Sequence, residues 1–329
     1  MRFLMQASHE QFAPEDLLRQ AVAAERAGFD GISASDHLQP WWEPGESGHT
    51  WPWLGAALAS TERVPVGTGV TPPGARYHPA LIAQAWMTME RMFPGRTFLG
   101  IGSGEALNEV PVGDDWPSVG GQIERMDQAL GFIRRLWDGE TITEETEHWR
   151  LRDCRLHTLA DGRPPIWVSA FGPQAAAVAA RHGDGVWTLA DPENAPTVVD
   201  AYRAECERLG RPPGEIVLHA LFSWGPDEEA ALEGARVWKG AQPVEFFRDD
   251  WHVPRQMYEE GERQVSDDDL REAALISADP AVHVERIAEI VDMGATVVVL
   301  QNNSGADPLG AIEVYGERVL PALRERVAG

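Results

Sequence analysis

Apolar residues in this chain follow two alternating rhythms. Short continuous apolar runs read as buried strands, and each is followed by a stretch whose apolar positions recur every three or four residues, the spacing of one helix face. "RFLMQA" (2–7) leads into 14–28, where Leu17, Leu18, Ala21, Val22 and Ala24 form the apolar face and Gly28 closes the helix. The same unit repeats as strand 29–35 with helix 50–61, strand 64–71 with helix 79–93, and strand 97–104 with helix 123–139. Four more follow: 165–170 with 173–183, 185–189 with 194–210, 216–224 with 228–238, and 295–301 with 312–326.

Eight strand and helix pairs predict a mainly parallel sheet closed into a (β/α)8 barrel, an α/β fold formed by residues 1–329 as a single domain. Three segments break the rhythm: 108–122, 140–158 and 241–278. Insertions of this kind wall the C-terminal face of a barrel, and the alternation within 140–158 predicts a small hairpin.

Composition narrows the partners. At 329 residues and 43% hydrophobic the chain buries a full core, while a net charge of −24 repels phosphates. A nucleic acid or an anionic membrane is therefore excluded as a partner, leaving small molecules. Lys239 is the only lysine. Cys154 and Cys206 have no paired spacing and read as idle thiols of a reducing interior. The first residues, "MRFLMQASHEQF", are too short in apolar content for a secretory signal, and no run is long enough to span a bilayer. The expectation is a cytoplasmic protein.

Active sites of such barrels lie at the C-terminal strand ends. That rule selects Asp36 and His37 after strand two, Gly69 and Val70 after strand three, Ser103, Gly104 and Glu105 after strand four, and Phe171 with Gly172 after strand five. An imidazole accepts a hydroxyl proton near neutral pH, and a neighbouring carboxylate fixes its surroundings. No His-x-His or His-x-x-x-His pair stands at a strand end, so no metal site is expected.

"SASDHLQPWW", "VGTGVTPPGARYHPALIAQAWMTM", "RTFLGIGSGEALNE" and "GDGVW", in this order, resemble the F420-dependent glucose-6-phosphate dehydrogenase group of the luciferase-like oxidoreductases over nearly the whole chain. The resemblance implies coenzyme F420, a deazaflavin, in the barrel mouth, and hydride exchange with a hydroxyl-bearing carbon. It implies His37 as the base, Trp41 as a shield for developing charge, and Glu105 as proton donor to the ring. Cofactor contacts would come from Asp36, Gly69, Val70, Ser103 and Asn108, with a cis bond at Gly69–Val70. The phosphate would sit against Gly172, Gln174 and Ala175, where a helix begins. Many relatives pair as homodimers. An FMN-dependent monooxygenase is the less favoured reading.

The pattern breaks at the substrate phosphate. Where glucose-6-phosphate users carry three cations, this chain has Pro192, Arg248 and Ala273, and Asp249 and Asp250 follow the single arginine. One cation compensates the desolvation of a dianion poorly. The expected substrate is an unphosphorylated alcohol or sugar, bound by Trp42 and Arg248, with Trp41, Trp51 and Trp53 as further apolar faces; glucose 6-phosphate is the alternative, with Arg255 or Arg271 filling the vacant places.

Overall fold

The computed structural model describes residues 1–328. Eleven strands form in chain order: β1 (Arg2–Ala7), β2 (Gly31–Ala34), β3 (Val66–Thr68), β4 (Thr97–Ile101), β5 (Ile142–Glu145), β6 (Arg150–Cys154), β7 (Ile166–Ser169), β8 (Gly185–Leu189), β9 (Glu215–Ser223), β10 (Leu275–Ile276) and β11 (Val297–Asn302). Eight of them close a parallel barrel in the order β1, β2, β3, β4, β7, β8, β9, β11, with β11 returning to β1 through the register Arg2↔Val297 to Gln6↔Gln301. These are the eight strands expected from the apolar runs. β5 and β6 pair antiparallel as the expected hairpin.

The helices are α1 (Pro14–Ala27), α2 (Thr50–Ser60), α3 (Pro79–Met92), α4 (Ala106–Glu109), α5 (Val119–Trp137), α6 (Pro173–His182), α7 (Ala195–Arg208), α8 (Glu228–Arg236), α9 (Pro254–Gln264), α10 (Asp267–Ala273), α11 (Pro280–Asp292), α12 (Pro308–Val314) and α13 (Leu320–Ala328). α1 shows why these segments fold as they do. Pro14 opens it without wasting an N–H, Leu17, Ala21 and Ala24 are buried, and Gly28 ends it at φ 94°, which disfavours any residue with a Cβ.

Two departures from the sequence pattern concern the stretch before the last strand. Residues 241–278, expected to be irregular, contain α9, α10 and the two-residue strand β10, which pairs with β9 through Leu275↔Phe222. α11, which sequence reading omitted, follows directly and buries His283, Ile287, Ala288 and Ile290. The closing helix is also broken, into α12 and α13 joined by a π-helical turn at Tyr315–Val319.

Inside the barrel the chemistry changes with height. Leu4, Phe98, Trp167, Trp187, Val217, Val297 and Val299 pack the floor. Above them Gln6 Nε2 donates to Gln301 Oε1 (3.1 Å) and Ser33 Oγ donates to Gln6 Oε1 (3.0 Å). His219 lies at the same level, edge-on to Trp187 at 5.9 Å between centroids. Burial pushes its pKa down to about 4, against the opposing effect of a hydrogen bond with Gln301. The unfolded chain therefore binds a proton at pH 5 that the folded chain does not, so stability is present above the unfolded value and is lost as pH falls toward the folded one. His219 alone removes about 2 kcal/mol between pH 7 and pH 5. The expected result is that His219→Gln loses less stability over this interval than the native chain by that amount, measured by urea unfolding at both pH values; equal losses refute it.

Candidate active site

The turn after β1, the loop after β2, the bend after β3 and the start of α4 meet over the polar floor. Asp36 and His37 leave β2 together, but their side chains do different things. Asp36 is 2% exposed and its four acceptor positions are filled. Oδ1 accepts from Tyr77 Oη (3.1 Å) and Arg76 Nη1 (3.3 Å), and Oδ2 accepts from Thr71 Oγ1 (2.6 Å) and Trp51 Nε1 (3.1 Å). Its carboxylate is thus a clamp that fixes the loop, with no lone pair left for a ligand.

Arg76 extends the clamp. Its Nε donates to Glu109 Oε1 (2.8 Å), and its Nη2 donates to the Asp36 carbonyl (3.0 Å). Burial works against the charged guanidinium, but the carboxylates of Asp36 and Glu109 outweigh it and raise its pKa above the ordinary arginine value. Burial, reinforced by Asp36, likewise pushes the Tyr77 hydroxyl well above its usual range, so it stays a donor.

His37 is held at both ring nitrogens. Nδ1 lies 3.1 Å from Asn108 Nδ2 and 3.3 Å from the Gln39 carbonyl oxygen, and Nε2 lies 3.4 Å from Glu10 Oε1. The Asn108 amide cannot flip freely, because its Oδ1 accepts the N–H groups of Leu38 (2.8 Å) and Gln39 (3.3 Å). Its Nδ2 is therefore a donor, which makes His37 Nδ1 the acceptor and leaves the resting proton on Nε2, facing Glu10. The other Nδ2 hydrogen goes to Glu105 Oε2 (3.2 Å). Asn108 is wholly buried and joins the imidazole to the Glu105 carboxylate.

Glu10 is the residue sequence reading missed. It is 2% exposed and accepts from Ser35 Oγ at 2.6 Å while facing His37. It stands just beyond the C-terminal end of β1, so the strand-end rule that selected the others reaches it as well. Arg76, Tyr77 and Glu109 were also missed, although all three lie within motifs already singled out.

The remaining expected residues divide. Trp41 lies beside His37, 5.3 Å between ring centroids, and also meets Phe247 at 5.2 Å. Trp42 is 4% exposed, edge-on to Trp238 at 5.0 Å, in a cluster that docks the long insertion onto the loop. Trp51 stacks on Tyr77 at 4.2 Å, and Trp53 is buried and donates to the Pro14 carbonyl. These two are structural, which corrects the expectation that they offer faces to a substrate.

Gly69–Val70 is a cis peptide bond. A Cβ on Gly69 would stand 2.5 Å from Gln6 Oε1 and 2.7 Å from Trp187, so the large Trp187 ring accounts for glycine at this position. Ser103 and Glu105 are half-buried on either side of Gly104, whose φ of 88° favours glycine. Across the mouth, Gly172 caps α6 with no side-chain hydrogen bond, Ala175 is buried and Gln174 is exposed.

Arg248 is exposed on the insertion, and among the described residues no carboxylate pairs with it. Arg255 pairs with Glu43 at 3.5 Å and Arg271 with Asp268 at 3.2 Å. Among the described residues one group, Glu124, Glu147 and His148, is close enough to share a metal ion; it belongs to α5 and the hairpin, away from the strand ends.

The parallel eight-stranded barrel carries at its mouth an imidazole, a buried carboxylate partner and a second carboxylate. The chain belongs to the luciferase-like monooxygenase family, whose model matches residues 1–297. It is 38% identical over 337 residues to the F420-dependent glucose-6-phosphate dehydrogenase of Microbacterium testaceum, covering 100% of this chain and 99% of that one. It is 37% identical over 321 residues to the F420-dependent hydroxymycolic acid dehydrogenase of Mycobacterium tuberculosis, covering 96% and 87%. Among solved structures it is similar to an F420-dependent secondary alcohol dehydrogenase in complex with an F420–acetone adduct, with a TM-score of 0.94 and 31% identity over 98% of this chain and 99% of that one.

Proposed function

We propose that this chain is a coenzyme F420-dependent oxidoreductase acting on a hydroxyl-bearing carbon, and that its substrate carries no phosphate. The observation that carries the reading is the relay of Glu10, His37, Asn108 and Glu105, which handles one proton on each side of a hydride transfer. Relatives at this identity and coverage, all F420-dependent and acting on three different alcohols, support the cofactor.

The residues present suit that cofactor. The first turn of α6 has no side-chain cap, and a Cβ on Gly172 would meet nothing within 4 Å, which leaves its backbone open to an anionic tail. Val70 is half-exposed between the apolar floor and the mouth, a surface fit for a flat ring. With Ser103 and Ala175, these residues would hold the group, while Asp36 and Asn108 fix the loops around it.

F420, when bound, supplies a ring carbon that accepts a hydride from the alcohol carbon or returns it. The substrate hydroxyl displaces the Asn108 Nδ2 donor, and His37 Nδ1, its lone pair freed, takes the hydroxyl proton as the carbonyl forms. Once protonated, this nitrogen donates to the Gln39 carbonyl, and Glu10 stabilises the imidazolium through Nε2. Glu105 would supply a proton toward the deazaflavin ring while the hydroxyl proton stays on His37, and solvent would reset both groups between turnovers. Trp41 shields the imidazole from water. We also propose a homodimer in the cytoplasm. The outer faces of α2 and α3 expose Pro52, Ala56 and Ala59 beside Leu81, Gln84, Thr88 and Met92, an uncharged surface in a chain that is 24% charged. Light scattering tests it, and a monomer mass refutes it.

The proposal is tested by mixing the protein with F420 and with FMN, following fluorescence quenching, then screening alcohols, glucose and glucose 6-phosphate for loss of F420 absorbance. F420 is expected to bind in preference to FMN. Two missing charge-assisted hydrogen bonds, each about 1.5–3 kcal/mol, weaken phosphate binding at least about a hundredfold. A strong preference for glucose 6-phosphate, abolished by Arg248→Ala, refutes the second half.

A further inference from the structure

Trp167 and Trp187 point into the barrel. Side chains alternate along a strand, so counting two residues at a time toward the mouth brings Phe171 from the end of β7 and Leu189 from the end of β8 onto the same inner side. Both are uncovered, Phe171 at 51% exposed and Leu189 at 37%, and Leu38, next to His37, is 42% exposed. Phe247, delivered by the insertion, links Phe171 to Trp41. Its ring centroid is 6.1 Å from Phe171 and 5.2 Å from Trp41, which in turn adjoins His37. An aromatic line therefore runs from the end of β7 across the mouth to the base.

Three polar side chains on the same rim, Gln39, Ser47 and Asn194, are already engaged. Gln39 Nε2 donates to the carbonyls of Leu107 (2.8 Å) and His252 (3.0 Å). Ser47 Oγ donates to the His37 carbonyl (2.8 Å), and Asn194 Nδ2 donates to the Phe171 carbonyl (3.3 Å). A sugar ring brings a hydroxyl on nearly every carbon, and those laid over Phe171 and Phe247 would lose water without gaining a partner from either ring. A hydrocarbon arm needs no partner and gains by leaving water.

Resting on the hydride-transfer reading above, we propose that the substrate is an apolar secondary alcohol, or the matching ketone in reverse, whose alkyl or aryl arm lies along Phe247 and Phe171. Phe247 is the residue that sets preference for arm length. The arm extends away from the reacting carbon at His37, toward Phe171.

The test measures kcat/KM for F420 reduction with 2-propanol, 2-butanol, 2-pentanol, 2-hexanol and glucose, in the native protein and in Phe247→Ser and Phe171→Ser. In the native protein kcat/KM rises about fourfold per added methylene, the equivalent of about 0.8 kcal/mol. 2-Hexanol exceeds glucose by at least about a hundredfold, and each variant flattens the slope to below about twofold per methylene. F420 reduction with a flat series, a preference for glucose, or a slope unchanged in both variants overturns this inference alone. F420 binding with no reduction by any compound overturns the hydride-transfer reading, and this inference with it.

Discussion

Replacing His37 by alanine lowers turnover by about 10²–10⁴-fold while cofactor affinity stays close to that of the native protein. The imidazole reaches nothing that would hold a cofactor; its partners are Asn108, Gln39, Glu10 and Trp41. Its removal therefore takes away the acceptor of the hydroxyl proton and little binding. Without it, the alcohol must lose its proton to water, whose conjugate acid is far stronger than imidazolium, so the barrier rises by about 3–5 kcal/mol. Steady-state loss of F420 absorbance gives turnover, and fluorescence quenching gives affinity. Near-native turnover in the variant removes His37 from the role of base, whereas lost affinity with native turnover at saturation would make it a binding residue.

The parts of this molecule that were legible in the sequence are those whose physics is local. Barrel strands are covered on both faces and so read as continuous apolar runs, which is why all eight were found. β10 is two residues long and leaves no pattern. α9 buries only Pro254, Met257 and Gly261, so its apolar period is too thin to stand out from a polar stretch. α11 did carry a signal, Asp279 as cap with Pro280 next. α8 already supplies a helix after β9, so the insertion hides this further barrel helix behind an earlier one.

The candidate site divides along the same line. Asp36, His37, Trp41, Glu105 and Asn108 lie in two short motifs and are brought together by the strand ends. The side chains that position them pair over long separations: Arg76 lies 33 residues from Glu109 and 40 from Asp36. No composition or period reports such a pairing. The tryptophans make the same point. Trp41 faces the base, while Trp51 supports Asp36 and Trp53 packs against the end of β1, distinctions that depend on which face of a loop or helix turns inward.

Arg76→Met destabilises the fold by about 3–5 kcal/mol, because it leaves two buried carboxylates without their shared cation. The losses fall unequally. Asp36 keeps Tyr77, Thr71 and Trp51 as donors, whereas Glu109, wholly buried, keeps only the backbone N–H of residue 76 at 3.1 Å. Glu109 is therefore the group that becomes untenable as an anion. Adding Glu109→Gln removes that charge, and its amide still accepts from the same N–H, so the double variant recovers much of the stability lost by Arg76→Met alone. On the native background Glu109→Gln instead strips the arginine of one partner and destabilises. The two substitutions should thus be coupled by more than about 1 kcal/mol in a double-mutant cycle read from urea unfolding. The loop also loses the bond from Arg76 Nη2 to the Asp36 carbonyl, next to His37, so turnover falls in Arg76→Met at temperatures where it is still folded. Additive effects, or an Arg76→Met variant within about 1 kcal/mol of native stability, would show that the clamp is solvated and that the loop carrying His37 is held by other contacts.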